Sequence, residues 1–206
     1  MCKNKIRFLT VVAAFLATII VIMSLPGAVF SNGPPSSDTK HLSVDLTVAG
    51  SGNSTEVPDS LSFNSVTLNG SVQEITNAAG SFPIDVTDAS GLAGGWNVTL
   101  AATTFTGTHS TSNVLPDNVL TVCGLLASKI DSTSTMPSSN IDPSTSPVMI
   151  TTAPSNPTAS LIYDAVAGSG MGSFELNTQL KLYLPADLNA DRYTSTMTVV
   201  VASRLS

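Results

Sequence analysis

Basic residues are scarce in this sequence: eight Lys and Arg stand against fourteen Asp and Glu in 206 residues, a formal net charge of −6. Three of the eight, Lys3, Lys5 and Arg7, lie at the extreme N-terminus, so residues 32–206 hold five basic and fourteen acidic side chains, net −9. Phosphate binding needs clustered Lys and Arg, so the charge argues against a nucleic-acid partner and against polybasic contact with anionic lipid. Histidine is rarer still, with only His41 and His109, which leaves little material for a nucleophile–base pair or an imidazole metal site. Of two cysteines, Cys2 precedes the first apolar run, away from the place of a lipid-modified cysteine, and Cys123 is then alone, so no intrachain disulfide is expected. A lone cysteine of this kind reads as a small buried apolar residue. Helical periodicity is missing beyond the N-terminus, and there is a single tryptophan, Trp96.

What the chain does have is an apolar run from residue 8 to 25 behind three basic residues, ending in small and turn-forming residues. That is the order of a secretory signal, with cleavage tolerable after Ala28 or Ser31. The run is also just long enough to span a bilayer, so residues 1–31 read as a signal peptide or, if uncleaved, a membrane anchor helix. Residues 32–41 lack an apolar period and read as a linker, and residues 42–206 as one domain. Within it, residues 82–100 organise the rest. Phe82, Ile84 and Val86 alternate with polar neighbours, and after a small-residue loop Trp96, Val98 and Leu100 do the same. The period of two predicts two half-buried strands around a core in which Trp96 is the largest block.

The same pattern extends both ways. Leu42, Val44, Leu46 and Val48 predict one strand; Leu61, Phe63, Val66 and Leu68 predict one or two short ones; Asn69-Gly70 is a turn signal. Residues 119–123 read as a buried strand, residues 149–152 as an edge segment, residues 160–166 as a strand, residues 174–184 as a long strand after three glycines, and residues 193–202 as the closing strand. Residues 131–147 are rich in Ser, Thr and Pro and poor in apolar residues, so they are expected to form a long exposed loop. Eight to ten short strands with turn signals between them predict an all-β fold, an antiparallel Ig-like β-sandwich behind the N-terminal signal or anchor helix.

The series Leu61-Ser-Phe63, Val66-Thr-Leu68, VTDASGLAGGWNVTL, the glycines before Phe174, and LYLPADLNADRYTSTMTV resembles the WxL-domain family of Gram-positive cell-wall surface proteins in order and spacing. The likeness spans residues 42–107 and 160–202, with the Ser/Thr/Pro loop as an insertion. It implies an exported, non-catalytic domain outside the cell, bound non-covalently to the wall through peptidoglycan or to partner surface proteins, with Trp96 and Val98 as wall-binding positions and no cofactor. The family has two Trp-x-Leu motifs. Here the first stands as Trp96-Asn97-Val98, and valines at 199–201 occupy the place of the second. An alternative is a membrane-anchored or self-assembling surface subunit, joined through residues 1–31 or through a sheet edge at 199–201.

Other motifs are weaker. GSGMGS at residues 168–173 has the glycines of a phosphate-cradling loop but leads into a strand pattern, so it reads as a tight turn. Asp187, Asn189 and Asp191 alternate like the start of a calcium loop, yet Arg192 and Thr198 occupy the glycine and glutamate positions, so a hairpin loop is expected. Asp85 and Asp88 read as a solvated loop face or an acid pair. The two histidines read as surface residues. No convergent acid, base and nucleophile can be named, so a hydrolase is not expected. Trp96 has two readings, a core block or a face that stacks on wall sugar, and the alternation around it favours the core.

Overall fold

Period-two alternation pairs into sheet wherever a neighbouring strand completes the backbone hydrogen bonds. The computed structural model describes residues 37–43, 47–48, 55–89 and 93–204 of the chain. Among them the strands in chain order are β1 (Ser37–Ser43), β2 (Thr47–Val48), β3 (Thr55–Glu56), β4 (Gln73–Thr76), β5 (Pro83–Asp88), β6 (Trp96–Thr103) and β7 (Thr106–Gly107). They continue as β8 (Leu120–Lys129), β9 (Val148–Ile150), β10 (Thr152–Ala153), β11 (Ser160–Ala165), β12 (Gly172–Leu184), β13 (Tyr193–Thr194) and β14 (Thr196–Ser203). No helix occurs among the described residues, and the signal or anchor expected at residues 1–31 lies outside them.

One six-stranded sheet has the order β10-β6-β14-β1-β2, with β11 also on β6; the other has the order β3-β5-β12-β8-β9, with β4 also on β12. Every pairing is antiparallel except the two-residue contact of β10 with β6. The inward positions of both sheets, Ile84 and Val86, Val98 and Leu100, Leu120 and Val122, Phe174 and Leu176, Met197 and Val199, share one buried apolar cluster. Two sheets facing one core is the arrangement expected of a β-sandwich. Strands β5 and β6 belong to different sheets and do not form a hairpin.

Several expectations shift once pairing is known. Residues 42–43 and 47–48 belong to two strands, β1 and β2, paired antiparallel with His41 opposite Val48. β1 begins at Ser37, inside the stretch read as linker, because its backbone pairs with β14 along its whole length and needs no apolar period for that. Residues 61–68 form no strand; Leu61 is buried, and Phe63 makes only an isolated bridge to Asn77. Cys123 is half exposed rather than buried: Leu120 and Val122 take the inward positions of β8, which turns its Sγ outward, 3.6 Å from the Gln179 carbonyl. The valines at 199–201 are not at an edge, since β14 lies between β6 and β1 with both flanks taken.

The loop at 131–147 is fastened down. Thr135 N–H donates to the Met171 carbonyl and accepts at its own carbonyl from Gly170 N–H. Val166 N–H donates to the Ser138 carbonyl, and Ser139 bridges Ala165. Asp131 and Asp142 cap their own turns through Thr133 and Ser144. A sequence too polar to build a core is held here by backbone and Asx-type hydrogen bonds instead.

The long strand β12 shares one flank between β5, which reaches residues 172–177, and β4, which reaches 181–184. The gap falls beside a bulge at Gln179/Leu180, where buried backbone groups would be left unpaired. Asn77 fills it. Its Oδ1 accepts from Leu180 N–H at 2.7 Å, its Nδ2 donates to Ser81 Oγ at 3.0 Å and to the Thr178 carbonyl at 3.4 Å, and its own N–H donates to the Leu180 carbonyl. Asn77→Ala strands these groups and is expected to lower unfolding stability by about 1–3 kcal/mol, read from urea midpoints, whereas Asn69→Ala in the exposed turn should change it by less than about 0.5 kcal/mol.

Candidate functional site

Trp96 opens β6, and the alternation that begins with it points its indole inward: Trp96 is 2% exposed and Val98 0%. The indole stacks on Tyr163 with ring centroids 5.3 Å apart and lies tilted against Phe174 at 6.2 Å. Its Nε1–H donates to the Gly170 carbonyl at 2.8 Å, which satisfies the one polar atom of the ring inside the core. Tyr163 in turn donates from its hydroxyl to the Pro137 carbonyl at 3.4 Å, and burial pushes that phenol above its usual pKa. The three-glycine segment is therefore the cap of the indole, and it carries positive φ at 168, 170 and 172.

Asp85 and Asp88 are three residues apart on one strand, hence on opposite faces, and do not pair. Asp85 faces outward with Glu56 and Glu175 directly across on the two neighbouring strands. Burial first, then Glu175 and Glu56, raise its pKa. The calcium-like segment turns its last carboxylate inward. Asp191 is 0% exposed at its side chain and accepts five hydrogen bonds, from His109 Nδ1 at 2.8 Å, His109 N–H, Ser110 N–H, Asn113 Nδ2 at 2.9 Å and Arg192 N–H. Asn113 above all, then His109 and Arg192, hold its carboxyl well below the usual carboxylate range.

His109 itself is 85% exposed, as a surface histidine should be, and its ring is tethered by the carboxylate 82 residues on. Sequence inspection saw both residues without seeing the pair, since the separation leaves no local signal. Among the described residues no hydroxyl or thiol hydrogen-bonds to the other ring nitrogen, so the pair has the geometry of a loop clasp. His41 lies in β1 opposite Thr198, on the other sheet from Cys123.

A cleft among the described residues has the size of a ligand site. About 720 Å³ opens between residues 62–68 on one side and residues 188–194 on the other, over a floor that includes Phe105, Leu115, Leu182 and Leu184. The clasped Asp191 fixes the second wall, and Tyr193 is oriented within it by a 2.8 Å hydrogen bond from its hydroxyl to the Asn189 carbonyl. Phe174 touches the indole and Leu184 floors the cleft. Ten residues of β12 separate them, roughly 33 Å at about 3.3 Å per residue, so indole and cleft lie at opposite ends of the domain.

A family model described as WxL domain surface cell wall-binding matches residues 43–202. The chain belongs to the WxL family. It is accordingly a protein of the cell surface or cell wall, with a domain of a wall-binding class. Comparison with curated proteins and with solved structures returned no match. The two WxL motif positions lie side by side: Val98 is opposite Val201, and Leu100 opposite Val199, on the neighbouring strands β6 and β14. Val199 is as buried as Val98, so the valine in place of the second WxL tryptophan is a core residue.

Two outcomes check this geometry. A Cβ at Gly170 would sit 2.7 Å from the indole nitrogen at a φ of +77°, whereas one at Gly168, with φ +83°, would meet nothing within 4 Å. Gly168→Ala therefore reports backbone strain alone, about 1 kcal/mol, and Gly170→Ala should exceed it by at least about 1 kcal/mol, measured as thermal midpoints. Asp191 has a folded pKa below its unfolded one, so its contribution is complete above the ordinary carboxylate pKa of about 3.9 and is lost as pH falls through the folded value. Asp191→Asn should be less stable than the parent at pH 7, with the gap closing as pH drops below 3, in urea titrations at both pH values.

Proposed function

We propose that this domain holds its protein on the cell wall non-covalently and without catalysis, with peptidoglycan or a partner surface protein as the ligand. The observation that carries the reading is the family match, which spans both sheets. Support for a non-catalytic role comes from the acid–base candidates: Asp191 spends its carboxylate on five internal donors, and the carboxylates Glu56, Asp85 and Glu175 face one another outside the cleft lining. In this reading Trp96 and Val98 serve wall binding by holding the sandwich together, because side chains this buried offer a wall polymer no surface. The ligand is met elsewhere on the domain.

The test is co-sedimentation of the protein with purified peptidoglycan sacculi. Retention of the parent protein is expected, and its absence would remove direct wall binding. Trp96→Phe keeps an aromatic core block but gives up the bond to Gly170 and part of the ring, for an expected loss of about 1–3 kcal/mol. At a temperature where circular dichroism shows it folded, it should sediment like the parent. A folded Trp96→Phe that fails to sediment would instead make the indole part of the contact.

A further inference from the structure

We propose that the cleft between residues 62–68 and 188–194 is the wall-contact site, and that it takes an uncharged saccharide chain rather than an anionic wall polymer. This rests on the wall-binding reading above. The first argument is charge. Residues 32–206 carry net −9, yet the cleft lining holds one acid and one base, Asp191 and Arg192, and the acid is consumed by internal hydrogen bonds. A phosphate-bearing polymer approaching this domain is repelled by the net charge and finds no cationic cluster to offset it. A neutral ligand meets neither obstacle.

The second argument is the chemistry of the walls. Phe63 on one side and Tyr193 on the other contribute half-buried ring surface, and a pyranose has an apolar C–H face that packs on such rings while its hydroxyls remain at the polar rim. That rim is present: Ser62, Asn64, Ser65, Thr67 and Asn189 line the cleft. The backbone N–H groups of residues 65–68 make no hydrogen bond to another described residue, and residues 65–67 are exposed, so these donors face solvent at the rim. The Thr67 carbonyl is taken by Gln73 Nε2, which steadies this wall from outside the cleft lining. Exposed backbone donors and side-chain hydroxyls and amides above an apolar floor suit a ligand bearing hydroxyl and amide groups. An N-acetylated hexosamine chain has both.

The experiment titrates the folded protein with the β-1,4-linked tetramer of N-acetylglucosamine and, separately, with poly(glycerol phosphate), by isothermal calorimetry and amide chemical shifts, alongside sacculus sedimentation. Val66 lines the cleft, is 38% exposed and is absent from the buried cluster, so Val66→Asp leaves the fold intact and places a hydrated carboxylate where the ligand must displace water. The expected results are shifts confined to residues 62–68 and 188–194, affinity for the tetramer that changes less than about twofold between 0.05 and 0.5 M salt, and at least about a fivefold loss in Val66→Asp. Tyr193→Phe, which keeps the ring and loses its tether, should fall between. If the parent sediments with sacculi but the tetramer leaves the cleft unshifted, or Val66→Asp sediments unchanged, or only poly(glycerol phosphate) binds, the assignment of this cleft is overturned while wall binding stands. If the parent does not sediment at all, the wall-binding reading itself fails.

Discussion

The hydrogen bond from the Trp96 indole to the Gly170 carbonyl is the contact on which the rest of the sandwich leans. An indole contributes roughly 150–250 Å² of buried surface, about 4–6 kcal/mol at ~25 cal/mol per Å² as an upper estimate, against a whole-domain stability of about 5–15 kcal/mol. That surface can be buried only if the ring's N–H finds an acceptor, and the acceptor comes from a loop rather than from either sheet. The loop must pass so close that a side chain at 170 has no room. Its own backbone is then secured by Thr135, and Tyr163, stacked on the indole, reaches Pro137. One aromatic ring thus draws β6, β11, β12 and two long connections to a single point.

A consequence is that the Ser/Thr/Pro segment is structural without being apolar. It closes the indole end of the core from outside, using backbone bonds to residues 166–171 and self-capped turns at Asp131 and Asp142. The opposite end is closed differently. There the carboxylate of Asp191 gathers His109, Ser110 and Asn113, which fixes the loops between β6, β8 and β13 but leaves the space beside residues 62–68 open. One end is thus closed with an aromatic and a strap, and the other is held by an ion-like clasp beside an open cleft.

Sequence patterning reached the strands whose two faces differ. β5, β6, β8, β12 and β14 each alternate because one face meets the core and the other meets water, and in β5 as far as Val86 and in β12 from Phe174 on every second residue is buried, apolar except at Thr178. It failed where another rule set the structure. Leu61 and Phe63 have strand spacing but act as anchors for a segment with no partner strand beyond one bridge. Cys123 follows two inward residues of β8, and the register, not its polarity, decided its face. β1 formed on a weak pattern because β14 offered it a full backbone edge. At the site, the period of two identified the burial of Trp96, whereas the His109–Asp191 clasp and the cleft depend on contacts 82 residues apart and on a gap in strand pairing, neither of which has a local signature.

The pairing of β6 with β14 also bears on why valine can stand where the family has its second tryptophan. With Val199 opposite Leu100 and Val201 opposite Val98, the two motif segments form adjacent ribs of one sheet, and both direct the defining side chains into the same core. An indole at 199, opposite Leu100 and four residues along β6 from Trp96, would need a buried acceptor of its own for its N–H. Val199, β-branched and fully buried, fills its place on the strand without that demand. A motif residue that packs inward can be exchanged for a smaller apolar one without altering the outer surface, whereas a residue that touches the wall cannot. The burial of positions 96, 98 and 199 therefore makes these motif positions core residues of this chain.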